Sequence, residues 1–275
     1  MGFFRSKFFF SYKRCKRCKL LYAPVYLTDE ALSELYSGMP DNTAGLSPDY
    51  LSRTQEGYFN FLREHCSMEG DFFELGPDVG LFTQFAAASP RLGKFWLYEP
   101  NRNVHAKLSE CVSARTFEIR TEMKDFSAIP DGSLAVCVLI HVLDHLPDVG
   151  PVMRELRKKL RADGKMLIVT HDEHSWASLV FGRRWPPFCL QHPLLFSRKT
   201  TATFLASAGL EVVETRKSVN YFPITYIIKH VLYASGLKWV SNWNWNALVI
   251  PMKLGNIMTV AVPNGSGGAP VRTGQ

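Results

Sequence analysis

Leu134 to Ile140 reads LAVCVLI, seven residues without a polar side chain. Crossing a bilayer takes about 18 or more apolar residues in a row, and no strongly apolar run in the chain approaches that length. A strand that is apolar on both faces has to be covered on both faces, as an inner strand of a parallel sheet with helices above and below. The flanking sequence agrees. Asp71–Leu75, Gly93–Tyr98, Thr116–Ile119 and Met166–Val169 read as further strands, and Leu210–Thr215 and Asn256–Val262 close the series. Helical patterns fall between them. One runs through Phe82 and Phe85, and one spans Val104–Val112. A third carries Val152, Met153, Leu156 and Leu160 and ends near Gly164. A fourth is capped by Ser197 and stopped by Gly209. Strands and helices in alternation make βαβ units, so the expected fold is α/β, a doubly wound, mostly parallel sheet.

Composition narrows the class further. Hydrophobic residues make up 46% of the 275 and charged residues 21%, which excludes disorder throughout. The net charge is +7, and its location matters more than its size. Residues 1–19 hold Arg5, Lys7, Lys13, Arg14, Lys16, Arg17 and Lys19 and no acid, while the remainder balances 25 basic against 25 acidic residues. A uniformly basic nucleic-acid binder is therefore not expected. Six cysteines make no disulfide framework, and MGFFRSKFFF lacks the apolar core and cleavage site of a secretory leader. A reducing, cytoplasmic setting is the expectation. Four zones follow: a basic, CxxC-containing arm (1–27), a helical extension (28–68), the alternating domain (69–262) and a Gly/Pro/Ser-rich tail (263–275) expected to be disordered. In the extension, Thr28 caps one helix and a second begins at Asp49.

The stretch FFELGPDVGLF carries the most chemistry. A strand runs into Gly76, Gly80 follows four residues on, and a helix begins. Glycines there let the backbone approach a ligand. A dinucleotide fingerprint needs Gly at its first, third and sixth positions; these are Gly76, Asp78 and Leu81, so two of three fail. The Gly-Lys-Ser/Thr of a phosphate-binding Walker loop is absent. A cofactor with a cationic centre and no phosphates is easier to place beside Glu74 and Asp78.

These residues resemble the first motif of the class I S-adenosylmethionine-dependent methyltransferases, an acid followed by Gly-x-Gly-x-Gly. Glu74, Gly76 and Gly80 match, and Asp78 stands at the middle glycine. The resemblance implies a seven-stranded Rossmann-like sheet, S-adenosylmethionine as cofactor, and further site residues. Glu99, in LYEPN, would accept from the ribose hydroxyls. Asp125 and Phe126 would meet the adenine. IPDGSLAVCVLIHVLDHLPDV, LRKKLRADGKMLIV and QHPLLFSRKTTATFLASAGLEVVET resemble later blocks of a bacterial branch that methylates small molecules or sugars. The expected acceptor is accordingly a small molecule, a sugar or a lipid-linked intermediate. An oxidoreductase on a similar sheet and a methyltransferase-like scaffold without catalysis remain as alternatives.

Five of the eight histidines fall between residues 141 and 192. His141 and His145 follow the fourth strand, and His171 and His174 the fifth, at ends where such sheets bind ligands. Methyl transfer needs a nucleophile stripped of its proton, so His141 is the expected base, with Asp144 and His145 one turn on to orient it. An unperturbed imidazole there would give turnover rising through about pH 6.5. The spacing of His171, Asp172 and His174 matches no zinc pattern, and Cys15 and Cys18 offer two ligands where a structural site needs four, so no metal is expected. Residues 221–239, YFPITYIIKHVLYASGLKW, read as a helix covering the substrate cleft, or as a surface for a lipid acceptor assisted by the basic arm. Peripheral membrane contact is thus within the expected repertoire. Gly2 to Ser6 formally fit a myristoylation signal, but the bulk of Phe3 speaks against it.

Overall fold

The structure, a computed structural model, describes residues 10–28, 30–32, 34, 48–225, 228, 232 and 248–265. It opens with a short hairpin, β1 (Lys13–Arg14) and β2 (Leu21–Tyr22). Helix α1 (Pro48–Arg63) leads into β3 (Gly70–Leu75), α2 (Thr83–Ala87), β4 (Leu92–Tyr98), α3 (His105–Cys111) and β5 (Phe117–Arg120). The second half holds β6 (Leu134–Ile140), α4 (Val149–Lys159), β7 (Leu160–His171), α5 (Trp176–Phe181), β8 (Leu194–Leu195), α6 (Arg198–Ser207) and β9 (Leu210–Lys217). It ends with β10 (Asn220–Pro223), β11 (Val249–Met252) and β12 (Asn256–Pro263).

Seven of these strands make one sheet in the order β5-β4-β3-β6-β7-β12-β9. The first five are parallel neighbours, and β12 runs antiparallel between β7 and β9. Strand alternation sorts the core into two layers. Phe72, Val136, Val138, Leu167 and Val169 face α1, α2 and α3, where they meet Tyr58, Leu62, Phe82 and Leu108. Phe73, Cys137, Leu139, Met166 and Ile168 face the other way, toward Val152, Met153 and Leu156 of α4 and Leu205 of α6. Each fully buried side chain of this kind contributes about 1.5–3 kcal/mol, so neither face can be left open. The apolar run Leu134–Ile140 is the inner strand β6, buried along nearly its whole length. Ser197 caps α6 through a reciprocal pair of bonds with Thr200.

Two boundaries differ from expectation. The α4 stripe stops at Lys159, and Gly164 lies inside β7. There the β6–β7 register shifts between Leu134 and Val136. A Cβ on Gly164 would stand 2.8 Å from the Leu134 carbonyl oxygen, so glycine permits the irregularity. The segment from 221 does not begin as a helix. Asn220–Pro223 pairs antiparallel with β11, and the Tyr221 N–H donates to Thr54 Oγ1 at 3.1 Å. Residues 226, 227, 229–231 and 233–247, and the tail from 266, lie outside the described residues.

The basic hairpin is built onto the domain. β2 pairs with β8, 174 residues further along at Leu21↔Leu195. Tyr12 donates its hydroxyl to the His192 carbonyl at 2.6 Å, and Arg14 makes two 2.7 Å bonds to the buried Glu173 carboxylate. Trp185, Ala177 and Leu195 give this corner a small core of its own. Among the described residues no helix is long and apolar enough to cross a membrane.

Candidate active site

Strand order reverses between β3 and β6. The chain moves outward from β3 through β4 to β5, then returns to β3's other side. A crevice opens at the carboxyl ends of strands where that happens. Gly76 lies there at φ 69°, and a Cβ on it would stand 2.9 Å from Val142 Cγ2. The loops after β3 and β6 therefore touch, and only a residue without a side chain fits between them.

The turn after β3 is closed by the Gly80 N–H to the Pro77 carbonyl at 2.9 Å. Asp78 has φ 53°, in the left-handed region that favours glycine. Aspartate tolerates that region better than most residues, which explains how the substitution preserves the turn. Glu74 is buried, accepts a 2.6 Å hydrogen bond from Thr83 Oγ1, and is pushed by burial up to about 8. Glu99, at the end of β4, accepts from the Asp78 N–H at 2.8 Å and the Asn101 N–H at 2.8 Å. Burial lifts its carboxyl to about 7 against those two bonds. Glu99 thus ties the first turn to the second strand. Its own carbonyl is held by His105 Nε2 at 2.8 Å.

Asp125 and Phe126 share a neighbouring loop and do different things. The Phe126 ring is buried, stacked on Tyr98 at 5.5 Å and edge-on to Phe73 at 5.7 Å. It anchors the loop in the core, so only its backbone is left to face a ligand. Asp125 stays at the rim, exposed, and accepts from the Ser127 N–H at 2.9 Å. That bond holds its carboxyl below the usual range.

The histidines gather across the crevice. His141 follows β6 directly, in the left-handed region at φ 53°, and its ring lies 4.6 Å from that of His171. His192 stands 4.9 Å from His171 and 4.6 Å, edge-on, from His145. Asp144 is completely buried at the centre. Its Oδ2 accepts from the His171 backbone N–H at 3.0 Å and bonds His171 Nδ1 at 2.7 Å. Burial lifts Asp144 to about 6 and depresses His171 and His192 to about 4 and His141 to about 3. His145 is likewise pushed far down by burial. Burial disfavours the charged form of each of these imidazoles, which shifts the inflection expected near pH 6.5 downward. The orienting role expected of Asp144 toward His141 is corrected too, since its carboxylate bonds His171.

His174 does not join the cluster. Its side chain is exposed, and Asp172 is bound instead to the His174 N–H and, through its own N–H, to the Gly255 carbonyl. Sequence reasoning missed Thr83 as the partner of Glu74, and His192 and Asn256 as neighbours of the histidines. His192 lies in an aperiodic loop, and Asn256 sits beyond a long intervening segment, so neither carries a local signal.

Residues 50–215 match a family model described as a methyltransferase domain. The chain belongs to that family. No curated protein matches its sequence. Solved structures share the fold at low identity. A S-adenosylmethionine-dependent methyltransferase from Leishmania major superposes with TM-score 0.55 at 11% identity, over 84% of this chain and 82% of that one. The YcgJ protein of Bacillus subtilis gives 0.53 at 13%, over 76% and 98%. A S-adenosylmethionine-dependent methyltransferase from Methanosarcina mazei gives 0.51 at 11%, over 74% and 96%. The methyltransferase is thus of class I, an enzyme whose cofactor is S-adenosylmethionine, and the oxidoreductase alternative falls away. The residues present suit that cofactor. Asp78 and the Glu99 carboxylate border the turn, and among the described residues of the turn, 74–80, none is basic, which suits a sulfonium and an ammonium. Each Glu99 oxygen that accepts a backbone N–H keeps a second lone pair for a ribose hydroxyl.

Proposed function

We propose that this methyltransferase acts on a small molecule, a sugar or a lipid-linked intermediate through an oxygen or carbon nucleophile activated at His141. S-adenosylmethionine, when bound, supplies an electrophilic methyl group on a positively charged sulfur. Glu74, Gly76, Asp78, Gly80 and Glu99 hold it at the ends of β3 and β4, and Asp125 with the Phe126 backbone borders the adenine. One observation carries the reading of the acceptor end: three imidazole rings and a buried carboxylate converge on the loop that touches the cofactor turn. An amine or thiol nucleophile could dispense with such a cluster; a hydroxyl or an acidic carbon could not. His141 meets the nucleophile, and His145, whose carbonyl accepts from Tyr26 at 3.1 Å, shapes the loop behind it.

The lipid-linked case draws support from α5. Leu179 and Val180 are 85% and 68% exposed there, next to Arg183 and the basic hairpin. Such a surface suits peripheral contact with an anionic membrane. The test is methyl transfer from labelled cofactor to a panel of hydroxylated small molecules, nucleotide sugars and lipid-linked glycans. Labelling of a hydroxyl or carbon supports the reading; turnover confined to amines or thiols, or to protein or nucleic acid, overturns it.

A further inference from the structure

We propose that His141, Asp144 and His171 form a site for a divalent first-row transition-metal ion of the zinc type. One ligand atom from each of the three lies within 4.8 Å of the other two. A tetrahedral ion with bonds of about 2.0–2.2 Å holds its ligand atoms roughly 3.4 Å apart, so small side-chain rotations complete the set. Two imidazoles and one carboxylate suit zinc, iron or cobalt, whereas magnesium prefers oxygen ligands throughout. Three protein ligands leave a fourth position for water or an acceptor oxygen.

Two orphaned atoms point to the same place independently. Asp144 Oδ1 and His141 Nδ1 are both buried without a hydrogen-bond partner. Burying polar atoms in this way is costly unless something binds them. The surrounding groups resemble the outer shell of a metal centre. His141 Nε2 lies 3.3 Å from Asn256 Nδ2; with the amide turned over, Asn256 accepts from Nε2–H and leaves the Nδ1 lone pair for the ion. His192 is occupied, its Nδ1 within 2.7 Å of the Pro187 carbonyl, so it stands beside the ligands as a neighbour. The other His/carboxylate cluster, Glu64, His65 and Glu214, differs: its acids already bond Arg216 at 2.8 and 2.9 Å.

The inference rests on reading the cluster as the acceptor-activating site, and it says how activation proceeds. A hydroxyl bound to the ion would lose its proton to solvent near neutral pH; its oxygen lone pair would then form the new O–CH3 bond as the S–CH3 bond of the sulfonium breaks, and S-adenosylhomocysteine leaves with that electron pair. His141 then acts on the nucleophile through the ion.

The full chain carrying Cys15→Ser and Cys18→Ser, stripped with chelator, would be titrated with zinc by calorimetry and with cobalt by visible absorption. S-adenosylhomocysteine would be titrated in parallel. The expected result is one zinc per chain, with cobalt bands that vanish in Asp144→Asn and His171→Gln. Each variant should weaken zinc binding at least about tenfold and keep S-adenosylhomocysteine affinity. The exposed His174→Ala should change neither. If S-adenosylhomocysteine binds but zinc and cobalt do not, the metal site is overturned while the methyltransferase reading stands. Metal binding unaltered in both ligand variants overturns it equally. Loss of S-adenosylhomocysteine binding in the parent chain would sink the functional reading itself.

Discussion

The two sides of the crevice are built on opposite principles. At the ends of β3 and β4, the carboxylates are satisfied by nearby groups: Glu99 by the N–H groups of Asp78 and Asn101, Glu74 by the Thr83 hydroxyl. At the ends of β6 and β7, the polar groups come from separate segments and some are left unsatisfied, as Asp144 Oδ1 and His141 Nδ1 are. A cofactor shared by a whole family can be met by backbone geometry, which many sequences reproduce. An individual acceptor has to be met by side chains, and these converge only once the chain is folded. The comparison predicts that the two sides fail separately.

The largest effect should come from His141. Its positive φ makes Asn a better replacement than Ala, because Asn tolerates the left-handed region. His141→Asn should lower turnover by about 10²–10⁴ and leave S-adenosylhomocysteine affinity nearly unchanged. Near-normal turnover would demote His141 to a loop residue and dissolve the contrast between the two sides.

A smaller effect concerns Glu74. Its carboxyl is raised from 4.5 when unfolded to about 8 when folded, because burial disfavours the charge. The protonated group's contribution to stability is therefore complete below about pH 4.5 and is lost as pH rises through 8. Glu74→Gln removes that dependence. The melting temperature of the variant should gain on wild type between pH 5 and 8.5, by on the order of 5 °C. A difference that does not grow with pH would show that Glu74 is not buried as described.

The smallest effect belongs to the hairpin. Cys15 and Cys18 sit at its tip, and among the described residues neither joins a group of three or more that could hold a metal. Any zinc carried by the protein should be unchanged in Cys15→Ser, and its melting temperature should move by less than about 2 °C. Zinc lost with Cys15 would place the metal in the hairpin.

What the sequence made legible follows the same division. The inner strand Leu134–Ile140, the Ser197 cap and the glycine turn are all set by neighbouring residues, so pattern alone reveals them. Gly164 reads as a helix stop until the Leu134 carbonyl is seen to occupy the space a Cβ would need, because that approach spans two strands. Asn220–Pro223 owes its extended form to β11 and Thr54, both distant in the chain. The nearness of His141 and His145 to the crevice was readable from strand order. The Asp144–His171 bond and the arrival of His192 were not, since each joins segments that no periodicity connects.

In the proposed cofactor site Glu99 would accept from the ribose hydroxyls, and replacing it probes that assignment without touching the histidines. Calorimetry should show S-adenosylhomocysteine binding to wild type and no heat with NAD. Hydrogen bonds to a charged group are worth about 1.5–3 kcal/mol, so Glu99→Ala should raise the dissociation constant roughly 10- to 100-fold. Circular dichroism would confirm that the variant remains folded. Unchanged affinity in the folded variant, or saturable binding of NAD by wild type, would contradict the assignment of this crevice to S-adenosylmethionine.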